Sequence, residues 1–490
     1  MCGIIGQLNR DKRIDEAEFT RMRDTLIHRG PDDAGNWFNA QGNVALGHRR
    51  LSFLDLSEAG RQPMTNEDNS LWLTFNGEIY NYVELRETLL QKGHTFRSTS
   101  DSEVLLHGYE EWGTGLFNRL KGMFAFGIYD DRKGELILVR DRFGIKPLYY
   151  HHAPGRFIFA SEIKGIVACS DVKPELDTTS MWDYFAFRYV PSPKSIWKNV
   201  AKVPPAHYLR FRMGKAPEVV EYWTVPIGEK RQDTKALAEE MEALLQESVK
   251  QHIRADVPVG SFLSGGYDSS ALVYFLHRLK YPTQTFAIGF EGWDNSEHQY
   301  AELVAETFGT NHTNRIVETG SLDLVEKLMY HYDEPIADIS IIPTYLISQE
   351  ARRNVKTVLS GEGADEMFCG YTWQRDYKAR WGKLGWLRRW REAKGWVKRP
   401  FGVDRYGEAM AMGRFENAEL RSLFHGDLRP EVGMDADWFY GDLHRKDLSP
   451  LKSVQFKDIK AFMGELVLVK IDRASMAHSL EVRVPFLDHE

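Results

Sequence analysis

Residues Val259 to Leu279 read VGSFLSGGYDSSALVYFLHRL, a short apolar run that stops at a Ser-Gly-Gly turn and passes directly into an amphipathic segment. Leu272, Phe275, Leu276 and Leu279 fall at the i, i+3, i+4, i+7 spacing of one buried helix face, and Val259 to Leu263 has the length of a central strand. Gly265 and Gly266 permit a sharp turn with free amide hydrogens, while Asp268, Ser269 and Ser270 offer a first-turn cap and oxygen donors. The stretch predicts a strand, an anion loop and a helix N-terminus. Orphan amides and the helix dipole favour a phosphate there, and Asp268 can hold the accompanying magnesium. A serine-capped helix after a tight turn is the plainer alternative.

The run Ser264-Gly265-Gly266-Tyr267-Asp268-Ser269 resembles the pyrophosphate loop of the N-type ATP pyrophosphatases, which lacks the lysine of the P-loop. Beyond it the chain alternates strand and helix, as a parallel sheet requires. Thr285 to Phe290 is a strand, and Ser296 to Phe308 is a helix with a Ser-x-x-Gln box at Ser296 and Gln299, ended by Gly309. Arg315 to Val317 and Thr357 to Leu359 are further strands, the last running into Ser360-Gly361-Glu362-Gly363-Ala364-Asp365-Glu366. Ligands of open parallel sheets bind beyond the carboxyl ends of the strands, so this loop and the Ser264 loop should face one crevice. Upstream, Asp233 to Arg254 carries a helical pattern through Leu237, Met241, Leu244, Leu245 and Val249.

The amino-terminal half begins Met1-Cys2-Gly3, so removal of the initiator methionine leaves Cys2 as the first residue. A free α-amine titrates near about 7.7 to 8.0 and can serve as the base for its own thiol. Taken alone, Cys2 reads rather as an ordinary buried thiol that starts a strand, since cysteine packs as a small hydrophobe. Leu71 to Phe75, Met123 to Tyr129 and Glu135 to Val139 alternate as strands, with a helix over Tyr82 to Gln91, and a layered sheet core follows. Asn76-Gly77 is also the commonest hairpin-turn dipeptide, and Arg50 can be a surface ion pair. From Tyr189 to Pro226, prolines and short strands mark the passage between the halves.

A chain of 490 residues predicts two to four domains of ~100 to 200 residues. A net charge of -7 gives no global sign of a nucleic-acid partner. No apolar run approaches the ~20 residues of a membrane span and no signal-peptide pattern opens the chain, so a cytoplasmic protein is expected. Three cysteines without CxxC spacing argue against a disulfide framework and a zinc site. Trp381 to Arg399 interleaves tryptophans with lysines and arginines. Such a stretch can lie on anionic membranes or bind a partner, although an insertion packed over the second site is the favoured reading.

Cys2, His28 to Asp32, Arg50-Leu51-Ser52, Asn76 to Asn81 and Ser100-Asp101 resemble the class II glutamine amidotransferases. With the second half, the resemblance extends along nearly the whole chain to the glutamine-hydrolysing asparagine synthetases. It implies an α+β N-terminal-nucleophile glutaminase of layered αββα form over residues 1–213, followed by an α/β parallel-sheet ATP pyrophosphatase domain over residues 232–490. Cys2 is then the nucleophile, with the Asn76 amide and Gly77 N–H as oxyanion donors. Arg50, Leu51, Ser52, Phe53, Leu54, Asn76, Gly77, Glu78 and Asp101 form the glutamine pocket, where Arg50 meets the carboxylate and Asp101, assisted by Glu78, the ammonium group. On the ATP side the resemblance assigns Leu263, Ser264, Gly265, Gly266, Asp268, Ser269, Ile288, Ser360 and Gly361 to the nucleotide. Asp268 and Asp365 fall to Mg2+, and Glu362 to formation and aminolysis of an acyl-adenylate.

Arg140 to Tyr150 and Ala160 to Lys164 fit structural roles at the interface of the halves, and Asp333 to Asp338 an acceptor-side loop. Aspartate is the default acceptor, with glutamine and ATP as the other small-molecule substrates. The rivals are amidation of another carboxylate, in a cell-wall precursor or natural product, and a non-catalytic scaffold that retains the motifs. A homodimer stays open. Asp472 to Glu490 resembles the family's late synthetase motif, past which members continue to a lysine near the acyl-adenylate. That implies a second domain incomplete at its C-terminus and poor amide yield per glutamine, unless a lysine such as Lys470 substitutes.

Overall fold

In a computed structural model, the structure describes residues 2–228, 233–291, 297–317, 324–375, 406, 415, 417–428, 438–445 and 447–490. The Trp381 to Arg399 stretch and the Ser296 end of the capping box lie outside them.

Two antiparallel six-stranded sheets form the first half. One runs in the order Val200–Lys202, Tyr149–Ala153, Arg156–Ala160, Gly3–Asn9, Val44–Arg50, Asp33–Phe38; the other runs Glu218–Glu221, His207–Arg212, Glu135–Arg140, Gly122–Asp130, Leu71–Ile79, Met64–Thr65. Alternation along each strand decides the layering. Ile4, Leu8, Phe157 and Phe159 face Ala125, Leu136, Leu138 and Leu209 between the sheets. Ile5, Ile158 and Ala160 turn the other way onto Phe19 and Met22 of helix Glu16–Asp24. On the opposite side, Phe126, Ile128, Ile137 and Val139 pack under helices Tyr82–Gln91 and Glu103–Trp112. The result is the expected αββα sandwich. Short strands from the proline-rich passage complete both sheets, so that passage belongs to their edges.

Asn76-Gly77 is not a hairpin turn. Both residues lie inside strand Leu71–Ile79, paired with Ala125 and Phe124. A glycine is needed at 77 because a Cβ there would stand 2.1 Å from the Met123 carbonyl oxygen.

The second half is built on a parallel sheet ordered Asn311–Val317, Gln284–Phe290, Val259–Phe262, Thr357–Leu359, Glu481–Arg483. Leu272, Phe275 and Leu276 are buried against it, as their spacing predicts. Helix Thr234–His252 departs from expectation, since Leu237, Met241 and Leu244 are exposed and only its last turns, through Val249, pack on the sheet. Its first turns are exposed, and periodicity alone cannot show where a helix leaves its support. The chain extends from Val259–Phe262 first to one side and later to the other, so the topological switch lies between that strand and Thr357–Leu359.

The halves share an apolar core in which Tyr80, Met123, Phe143 and Ile145 pack with Ile459, Met463, Val484 and Leu487. No described helix is long and apolar enough to cross a membrane.

Candidate functional site

Cys2 precedes the first strand and is buried, as its reading as a small hydrophobe expects. Its backbone nitrogen donates to Asn76 Oδ1 at 2.9 Å, which fixes the Asn76 amide and leaves Nδ2 buried without a hydrogen-bond partner. An unpartnered buried amide costs about 1–3 kcal/mol, so this donor is held ready for an oxygen. Burial pushes the Cys2 thiol up, opposed by the amino-terminal charge, the Leu51 backbone N–H and Arg50.

Arg50 is not a surface ion pair. It is buried, and its guanidinium donates to the carbonyls of Leu54 at 3.4 Å, Asp55, and Ser57 at 3.1 Å, drawing the 51–57 loop around itself. The second half holds the other side of that loop. Lys356 donates to the Ser52 carbonyl at 3.2 Å and the Asp256 N–H to the Phe53 carbonyl at 2.9 Å. Asp101 accepts the Ile79 N–H at 2.9 Å, and its buried position raises the carboxyl to about 6. Glu78 is fully buried with one oxygen 3.2 Å from Arg483 of the last strand and the other unpartnered. Burial raises its carboxyl well above the usual range, opposed by Arg483.

At the topological switch the two glycine-bearing loops open a cleft of about 460 Å³. Leu263, Ser264, Asp268, Ser269 and Ile288 line it from one side of the switch, with Ser360, Gly361, Glu362 and Asp365 from the other. Gly265 and Gly266 form the turn behind them. Gly265 has φ +83°, and a Cβ there would stand 2.4 Å from Tyr300 Cβ. No side chain caps the following helix, which corrects the cap read at Asp268, Ser269 and Ser270: Gly266 is the N-cap, and its N–H donates to Ser264 Oγ at 3.2 Å. Ser269 holds the loop instead, with its hydroxyl 3.1 Å from Ser264 Oγ.

Burial raises both the Asp268 and the Asp365 carboxyl; Asp365 and Glu362 add to the first, and Glu362 to the second. Carboxylates crowded in this way suit a hard divalent cation. Glu362 accepts from Lys470 Nζ at 3.1 Å. Burial opposes the Lys470 charge, but Glu362 and Asp338 together raise its ammonium. Glu366 was missed from sequence. Burial pushes its carboxyl to about 8, the Tyr371 hydroxyl donates to it at 2.8 Å, and both residues line the cleft.

Between the two sites lies a buried set of charges. Arg29 donates from Nε to the Cys2 carbonyl at 3.1 Å, and from its fork to Asp472 at 2.9 and 3.2 Å and to Glu162 at 2.8 Å. Arg473 meets Glu162 at 2.7 Å. Asp333 and Glu334 also point to the first half, pairing with Lys164 at 3.0 Å and Lys202 at 3.2 Å, while Asp338 acts on Lys470 and Ser340 reaches the cleft. Removing one member of such a set strands the others. Arg29→Met should lower stability by about 3–5 kcal/mol. A urea titration followed by fluorescence checks this, and an unchanged midpoint would show that the remaining charges compensate each other.

A thiol beside a poised amide in one half and crowded carboxylates beside a glycine loop in the other define two sites. Residues 1–223 match the family described as a glutamine amidotransferase domain, and residues 240–490 that described as asparagine synthase. Asparagine synthetase [glutamine-hydrolyzing] 1 of Bacillus subtilis is 34% identical over 520 residues, covering 100% of this chain and 79% of its own. The chain belongs to the glutamine-hydrolysing asparagine synthetase family. Asparagine synthetase [glutamine-hydrolyzing] 3 of the same organism is 33% identical, covering 100% of this chain and 80% of its own. Amidase chry2 of Gibberella zeae is 28% identical, covering 98% and 78%. This family member is accordingly an asparagine synthetase-like ligase with glutamine as amido donor.

Proposed function

We propose that this chain makes asparagine from aspartate, with units at residues 1–213 and 232–490 and a connecting segment between them. After loss of Met1, the Cys2 α-amine takes the thiol proton and the sulfur attacks the glutamine side-chain carbonyl. Asn76 Nδ2 and the Gly77 N–H receive the oxyanion, ammonia leaves, and water releases glutamate from the thioester. Arg50 and Asp101 hold the two charges of glutamine, assisted by Glu78, with Leu51, Ser52, Phe53 and Leu54 closing the pocket. In the cleft the acceptor carboxylate attacks the α-phosphorus of ATP and displaces pyrophosphate. Ammonia carried inside the protein then attacks the acyl carbon, and AMP leaves with a proton removed by Glu362. Asp268 and Asp365 would hold magnesium, which neutralises the phosphates. Leu263, Ile288, Ser360 and Gly361 hold adenine or ribose, and Ser264, Gly265, Gly266 and Ser269 the phosphates.

The observation that carries this reading is Arg29, which touches the Cys2 carbonyl and Asp472 of the second half at once. It ties the thiol to the framework of the cleft. Incubation with glutamine, ATP and a panel of acids, with pyrophosphate release as readout, tests it. Release with aspartate is expected, and release with none of the acids would overturn it. A second acceptor reading has its own support. Among the described residues, the lining of the cleft carries Asp268, Glu297, Glu362, Asp365 and Glu366, and the neighbouring cation Lys470 is already engaged by Glu362 at 3.1 Å. Response to a different carboxylate would favour it. We place the work in the cytoplasm, and sedimentation decides between monomer and homodimer.

Asp101 also predicts a pH dependence. Only its ionised form holds an ammonium group, and its carboxyl is raised to about 6, so affinity is present above pH 6 and lost as pH falls through it. The glutamine Kd of the Cys2→Ala chain, free of the titrating thiol, should rise about tenfold per pH unit below 6. Asp101→Asn should flatten the profile. A flat profile in the parent chain would remove Asp101 from the pocket.

A further inference from the structure

In the helical layer of the first half, the rings of His94 and His107 approach to 5.2 Å between centroids. His107 lies on helix Glu103–Trp112 with Glu110 one turn later. His107 Nδ1 is 3.2 Å from Glu110 Oε2 and 3.8 Å from Glu67 Oε1, and His94 Nδ1 is 3.9 Å from the same Glu110 oxygen. Ligand atoms on a tetrahedral zinc, each 2.0–2.1 Å from the ion, stand about 3.3 Å apart. One donor from each of His94, His107 and Glu110 falls within 4.8 Å of the others, so small rotations would close the set.

The far side of each ring is also occupied. His107 Nε2 lies 3.5 Å from Glu103 Oε1, and His94 Nε2 lies 3.5 Å from Glu111 Oε2. Each imidazole therefore has a carboxylate 3.5 Å behind it, outside hydrogen-bond contact, and a small rotation of the ring would bring the pair to the carboxylate–histidine–metal arrangement. Glu110 is oriented by Asn66 Nδ2, which donates to its other oxygen at 2.8 Å, and Glu67 accepts from Thr95 Oγ1 at 3.2 Å. The charge balance favours a cation. Four carboxylates, Glu67, Glu103, Glu110 and Glu111, face the two histidines and Lys92, which pairs with Glu111 at 2.6 Å. His107 is almost buried, while Glu67 and Glu110 are 38% and 27% exposed, leaving an ion a way in.

We propose that His94, His107, Glu110 and Glu67 form a binding site for a divalent transition metal, with zinc as its ion. Two imidazole nitrogens select against magnesium and calcium, which take oxygen. Cysteine spacing does not bear on a site of imidazole and carboxylate. The ligands come from three places: the segment after strand Met64–Thr65, the segment after helix Tyr82–Gln91, and helix Glu103–Trp112. Between His94 and that helix runs the loop carrying Asp101. A bound ion clamps both ends of this loop and so braces the glutamine pocket from outside.

The test uses the full chain carrying Cys2→Ala, which removes a competing thiol, stripped of metal with a chelator. Calorimetric titration with zinc should find a site whose affinity falls at least about tenfold in His94→Gln and in Glu110→Gln. Both positions are partly exposed, so the variants should fold where a change at His107 need not. Cobalt should give a visible band of low symmetry that His94→Gln abolishes, and zinc should slow hydrogen exchange over residues 93–102. Zinc binding of equal strength in both variants, or none in the parent, would overturn the site and leave His107 as a protonated partner of Glu103 and Glu110.

Discussion

Cys2→Ala should abolish glutamine-dependent amide formation, by about three orders of magnitude or more, while synthesis from added ammonium salts continues. The expectation follows from the division of labour between the two sites. The variant removes only the sulfur that forms the thioester, whereas the carboxylates and loops of the cleft are untouched. Cys2 is buried at the start of a strand, so trimming it to alanine removes a single atom from a well-supported position. Measuring amide with each nitrogen source decides the matter. Equal loss with both sources would mean that Cys2 acts on the fold or on the second site. A mature chain that retains Met1 would also count against the mechanism, because the amine would then be locked in a peptide bond.

Asp268→Asn should stop acceptor-dependent pyrophosphate release by more than about a hundredfold, beyond the 10–100-fold losses seen for groups that only orient a metal ligand. Glutaminase activity should persist. Asp365 and Glu362 raise the Asp268 carboxyl, after burial, and a divalent cation would relieve that repulsion. The amide keeps the size of the side chain and removes the charge. The magnesium concentration for half-maximal release should therefore rise in whatever activity remains. Unchanged magnesium dependence would take Asp268 out of the metal site, and loss of glutaminase as well would point to a general defect.

Arg29, Glu162, Asp472 and Arg473 join these two expectations physically. Burying them is costly unless every charge keeps its partners, so the interface has few alternative arrangements in which the halves could sit. Glu78 illustrates the same constraint from the glutamine side. It borders the pocket, yet one of its oxygens belongs to Arg483, which also donates to the carbonyls of His252 at 2.6 Å and Arg254 at 2.8 Å.

What the sequence determined by itself is local. The period of two in Gly122–Asp130 and Glu135–Arg140 gave the layers, because successive side chains of a strand must go to opposite sides. The strand, glycine turn and helix at Val259 to Leu279 were legible because backbone geometry is set within a few residues. Tertiary structure decided everything that depended on distant partners. Arg29 and Asp472 meet across 443 residues, and Glu78 and Arg483 across 405, pairs that no periodicity or spacing connects. Asn76-Gly77 had the composition of a turn, but pairing with Ala125 and Phe124 drew it into a strand. The reason is the same in each case. A residue's neighbours along the chain fix its backbone options, and only the packing of the two halves fixes which charge it faces and whether water can reach it.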